Sequence, residues 1–181
     1  MFWLRFSGWL FVLLATATAV VMGLGGRLPA EHTTTQDAVI AASPEQIWPL
    51  LSEAAAQTRW RSDVSSTEPL PDENSLPCWT ERHDRSASSV CVAESTPLTS
   101  LVLRTADSRQ PVQMERHFVL APDSSGPGKT HVTVVDETRI APAMVRFYAH
   151  YVEGEQAQVV RLLADLDRAV HASPEPRSAT P

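Results

Sequence analysis

One stretch constrains this chain more than any other. Residues 142–171 open on a proline, which a first helical turn tolerates, and contain no further proline before the polar tail. Within them Met144, Tyr148, Tyr151, Val159, Leu162, Leu166 and Val170 recur at helical spacing, the stripe of one long amphipathic helix. The step from Tyr151 to Val159 lands on Glu155, a carboxylate on the face that should look inward. Either Glu155 sits at the helix edge and reaches solvent, or the helix lids a cavity and Glu155 is one of its few polar groups. Glutamate is rarely fully buried without a partner.

The rest of the chain has to supply what this helix covers. Its 181 residues are enough for one domain with one substantial core. The formal net charge is −6, Lys129 is the only lysine, and arginines do not cluster. A nucleic-acid surface needs grouped cations to displace counterions from phosphates, so that class of partner is excluded.

From Phe6 to Gly26 no residue is charged, and the run is rich in Leu, Val, Ala and Phe. About 20 such residues cross a bilayer core as a helix, and Trp3 and Trp9 suit the headgroup level at its start. A cleaved signal peptide is the rival reading, since Ala15, Ala17 and Ala19 offer a peptidase small residues. The apolar run continues through Val20, Val21, Met22 and Leu24, which favours an uncleaved single-pass anchor. Residues 1–31 are therefore read as anchor and connector, 32–172 as the folded domain and 173–181 as a disordered tail.

Inside the domain, residues 32–42 read as a first strand. Ser43-Pro44-Glu45-Gln46 then carries the marks of a helix start: serine as N-cap, proline first, glutamine at the capping-box position. A second short helix is expected over residues 54–58. Strands follow at 64–70, 78–82, 89–94, 98–105, 112–121 and 130–140, with turn chemistry between them. Consecutive strands on short turns make an antiparallel sheet, and its apolar face must be covered. The expectation is an α+β fold, a curved antiparallel sheet wrapped around the long C-terminal helix and preceded by a transmembrane helix.

A strand ending in "AASPEQIWPLL", then "TRWRSDV", a meander of strands and a long terminal helix resembles the polyketide cyclase/dehydrase and lipid-transport family. That family belongs to the START-like, or helix-grip, superfamily. The likeness covers about residues 32–170. It implies a cavity between sheet and helix that holds apolar or amphipathic small molecules, in relatives that are cyclases, hydrolases or carriers. It carries no catalytic role onto any position here, because the family has no universal catalytic triad.

Period-two alternation sorts the two clearest strands. Val112, Met114, Phe118 and Leu120 share one face with Arg116; Val132, Val134, Thr138 and Ile140 share theirs with Asp136. An inward arginine needs a carboxylate or bound anion. Arg116 therefore either pairs inside the cavity with Asp136 or Glu155 and orients a ligand, or is turned outward by a bulge. Trp60, Trp79, Met114, Phe118, Tyr148 and Tyr151 are the expected cavity walls, although aromatics also fill ordinary cores. No metal spacing, phosphate loop or nucleophile elbow occurs, so no metal or cofactor is expected. A hairpin turning on Asp84-Arg85 would set Cys78 opposite Cys91, within disulfide reach. Such a bond would favour a domain outside the cytoplasm; two free thiols in a cytoplasmic domain are the alternative. Three functional classes follow: a membrane-tethered protein binding a hydrophobic small molecule or lipid, an enzyme of cyclase type using the same cavity, and a scaffold whose cavity is filled by its own side chains.

Overall fold

The structure is a computed structural model that describes residues 2–84, 86–124, 126–154 and 156–172. The expected tail at 173–181 and Glu155 lie outside the described residues. Helix α1 (Phe2–Arg27) leads through Leu28, Pro29 and Ala30 directly into strand β1 (Glu31–Ile40). Helix α2 (Pro44–Ser52) starts where the sequence marks it, with the Ser43 N–H donating to Gln46 Oε1 at 3.0 Å. Helix α3 (Ala54–Trp60) follows after one residue, and the join is capped by side chains. The last carbonyls of α2 lack helical partners. Leu50 O accepts from Trp60 Nε1 (2.7 Å) and from Gln57 Nε2 (3.1 Å), and Leu51 O from Gln57 Nε2 (3.0 Å).

Six strands come next: β2 (Ser66–Glu73), β3 (Leu76–Arg82), β4 (Ala87–Thr96), β5 (Ser100–Thr105), β6 (Val112–Pro122) and β7 (Thr130–Ile140). They meander, and β1 closes on the last of them, so the antiparallel sheet runs β1-β7-β6-β5-β4-β3-β2. Strand β2 contains Pro69 and extends past its expected end at residue 70 through Pro71. It is an edge strand, where a proline forfeits no ladder hydrogen bond. Asn74 and Ser75 both take left-handed φ in the two-residue turn to β3, as tight hairpins require. A register shift between Val92 and Glu94 bends β4, which helps the sheet to curve.

The concave face carries the alternation read from sequence. Phe118 and Leu120 on β6, Val132 and Val134 on β7, and Trp79, Val90 and Leu103 from the other strands are buried against α2, α3 and helix α5 (Ala157–Ala172). Helix α5 contributes Val159, Leu162, Leu163 and Leu166. On the opposite face, Cys78 and Cys91 stand directly across the β3–β4 ladder and form a disulfide.

The expected single helix over residues 142–171 is a correction. The chain forms α4 (Ala143–Tyr148), a π turn (Ala149–Glu153) and a break at Gly154, whose φ of +80° no helix interior accommodates, before α5 begins. Only α5 grips the sheet. Helix α4 packs on α1 instead, so Met144, Tyr148 and Tyr151 face away from the core. The heptad-like spacing of the stripe recorded that these residues were apolar, and said nothing about which partner they faced.

Candidate functional site

A cavity of about 670 Å³ lies between the concave sheet face and α5. Its apolar wall is Val90, Val112, Met114 and Leu162, from β4, β6 and α5. Its polar wall comes from the α3–β2 connection and the β3–β4 hairpin: Arg61, Ser62, Asp63, Glu81, His83 and Ser88. Arg116 on β6 and Asp165 on α5 line it as well.

The polar wall is a connected network. Arg61 is forked, donating Nη2 and Nε to the Asp63 carboxylate at 2.6 and 3.0 Å and Nη1 to Glu81 Oε2 at 2.7 Å. The other Glu81 oxygen accepts from Trp79 Nε1 at 3.0 Å, so this buried carboxylate has a partner on each side. Burial works against the Arg61 charge, but the Asp63 hydrogen bonds and the Glu81 and Asp63 charges raise its pKa above the ordinary arginine value. Asp63 answers in kind: burial opposes its ionisation, and the Arg61 hydrogen bonds and charge hold it below the usual aspartate range.

His83 closes the network. Its Nδ1 lies 2.8 Å from the Asp63 carbonyl oxygen, which can only accept, so Nδ1 carries the proton. Nε2 lies 3.2 Å from Ser88 Oγ and faces Glu81 Oε2 at 4.0 Å. On the α5 side, Asp165 Oδ2 accepts from the Ser62 N–H (2.8 Å) and Oδ1 from Arg168 (2.8 Å). Burial opposes its charge, and the Ser62 and Arg168 hydrogen bonds outweigh that and lower its pKa. Asp165 thereby ties the gripping helix to the connection that bears Arg61.

The residues expected from sequence divide into three groups. Met114 and Arg116 line the cavity, and Arg116 donates Nε to Asp136 Oδ2 at 3.2 Å, with Nη2 on the same oxygen. The two stand opposite each other in the β6–β7 ladder and both are buried. Trp60, Trp79 and Phe118 are core residues beside the cavity: one caps α2, one anchors Glu81, and Phe118 fills the sheet interior. Tyr148 and Tyr151 stand outside it, 51% and 56% exposed. Glu155 lies outside the described residues. Sequence reasoning missed Arg61, Asp63, Glu81, His83 and Asp165. Glu81 was within reach, because alternation from Trp79 puts it on the inward face of β3.

No protein-family model matches the chain, nor does any curated protein. Solved structures match its fold. A START superfamily protein from Mycobacterium smegmatis superposes with a TM-score of 0.61 at 16% identity, covering 77% of this chain and 97% of that one. The di-domain ARO/CYC BexL gives 0.62 at 12% identity over 92% of this chain and 61% of its own. Norcoclaurine synthase from Thalictrum flavum gives 0.58 at 10% identity, covering 79% and 88%. At these identities the likeness establishes a START-like, helix-grip fold: a seven-stranded antiparallel sheet followed by a C-terminal helix, with an N-terminal apolar helix in front.

Proposed function

We propose that this chain is a membrane-anchored START-like domain that binds a hydrophobic or amphipathic small molecule or lipid between its sheet and α5. The carrying observation is how the cavity is lined. One wall is apolar, while the buried charges on the other are matched: Arg61 to Asp63 and Glu81, Arg116 to Asp136, Asp165 to Arg168; the further lining cation, Arg161, is exposed to solvent. Such a lining rewards burial of apolar surface and leaves hydrogen-bonding edges for a polar end, and none of these paired charges demands an ion. Its volume falls within the roughly 300–1,000 Å³ typical of small-molecule sites. Native mass spectrometry of the full chain released from detergent should show a retained apolar ligand, and Met114→Trp, which fills the cavity, should expel it. Wild type that retains nothing and takes up no fluorescent fatty-acid probe would remove this reading.

The anchor is α1, in which residues 8–27 are long and apolar enough to cross a membrane. The Cys78–Cys91 disulfide favours a domain on the extracytoplasmic side, where such bonds persist. Free alkylatable thiols in protein taken from its native compartment would argue for the cytoplasm.

A second reading, an enzyme of polyketide cyclase/dehydrase type, draws on His83. It is the only imidazole among the described lining residues, with its tautomer set by Asp63 and Nε2 next to Ser88 and Glu81. A positioned histidine of this kind can accept or return a proton. The fold's neighbours include a synthase and an ARO/CYC. This reading expects turnover of a poly-β-ketone mimic that His83→Gln abolishes while ligand retention survives. Binding alone expects no turnover in wild type.

A further inference from the structure

The segment between β7 and α5 turns its apolar side chains away from the domain. Met144 (51%), Val145 (39%), Tyr148 (51%), Tyr151 (56%) and Val152 (59%) are all substantially exposed along α4 and the π turn. Scattered singly, such residues would need no explanation; grouped on one short segment they do. The segment is also fixed in place. A Cβ on Gly25 would lie 1.9 Å from the Ala143 carbonyl oxygen, so α1 and α4 meet backbone to backbone, the close approach that small residues permit between membrane helices. Arg146 locks the contact, donating Nε to Gly25 O (2.9 Å) and Nη1 to Ile140 O (2.9 Å) and Ala141 O (2.8 Å). Its cation sits where the last carbonyls of α1 lack helical partners and the helix dipole is negative.

This contact sets the depth of α4. A 20-residue helix rises about 30 Å, the thickness of the bilayer core. Gly25 precedes the last residue of α1, Arg27, by two positions, or about 3 Å of rise. An element in backbone contact with Gly25 therefore lies at the lipid headgroup boundary. Tyrosines are enriched at that level, and amphipathic elements lying there sink their apolar face by about 5–10 Å.

We infer that α4 and the π turn form a second membrane-contacting element, its Met144–Tyr148–Tyr151 face inserted at the headgroup–acyl boundary beside α1. The inference rests on the reading of α1 as a bilayer span. The test uses the full chain in phosphatidylcholine vesicles, spin-labelled at single introduced cysteines; the native pair is held in its disulfide and does not react. Tyr148→Cys, Tyr151→Cys and Val152→Cys all sit at exposed positions and leave the core intact. At these sites membrane-soluble oxygen should relax the label more than an aqueous nickel chelate does. Val39→Cys, half exposed near the far end of β1, should show the reverse order. Labels at 148, 151 and 152 that behave like Val39→Cys overturn the inference. So do labels shielded from both reagents and coupled to one another, which would mark a contact between two copies. Leu14→Cys, midway along α1, separates the two failures. If it reports lipid while the three sites report water, only this inference falls; if it too reports water, the anchor reading falls with it.

Discussion

Arg116 and Asp136 are each buried, and each is the other's charged partner across the β6–β7 ladder. Removing one leaves the other uncompensated, a situation that costs about 3–5 kcal/mol, whereas replacing both with apolar residues of similar volume is often neutral. Arg116→Met or Asp136→Asn alone should therefore lower the urea midpoint sharply. The double variant Arg116→Met/Asp136→Leu should recover much of the loss, read in the same titration. Asp165 makes a prediction in pH. Its folded pKa lies below the unfolded value of about 3.9, so the stability it adds is fully present above about pH 4 and is lost as pH falls through the folded value. Asp165→Asn should be less stable than wild type at pH 7, and the difference should shrink as both are titrated below pH 4. A gap that stayed constant with pH would mean that the hydrogen bond to Ser62 matters and the charge does not.

At the scale of elements, α5 and the π turn should respond differently to truncation. Leu162→Ala or Leu166→Ala opens a cavity under the gripping helix and should cost about 2–5 kcal/mol in thermal or denaturant unfolding. Tyr151→Ala removes an exposed ring and should change stability by less than about 0.5 kcal/mol. Gly25→Leu should force α1 away from α4, seen as a lengthened distance between labels on the two helices, while the sheet's unfolding transition stays where it is. The same contrast marks how far the sequence was legible. Strand β7 and the inward faces of β6 and β7 followed from alternation, because a period of two maps directly onto the two faces of a sheet. The helix starting at Ser43 followed from its cap. Helical spacing had no such reference. It could not separate residues gripping the sheet from residues left exposed beside α1, nor did the Gly154 break interrupt the stripe. The site was legible only in part for a related reason. Arg116 and Asp136 stood out as charges inside apolar strands. Arg61, Asp63 and His83 sit on connections, where charge is ordinary and only the three-dimensional approach of the α3–β2 and β3–β4 joins gives them neighbours.

Taken whole, the molecule is stitched at two places far apart in sequence. The disulfide closes the β3–β4 hairpin across 13 positions, a loop for which chain entropy alone predicts about 3 kcal/mol of stabilisation. Reduction under native conditions should thus lower the thermal midpoint of the whole domain without abolishing its strand content in circular dichroism. The other stitch lies where α1 meets the domain. Only Leu28, Pro29 and Ala30 separate the end of α1 from β1, the Ala30 carbonyl already accepts from the Ile140 N–H at 2.8 Å, and Arg146 clasps the helix end to the close of β7. Three extended residues reach about 10 Å. If α1 spans a bilayer, as proposed above, the cavity cannot swing to a facing bilayer or travel through solution. On that proposal a bound ligand has to come to the protein, which would be a fixed berth at one surface and not a ferry between two.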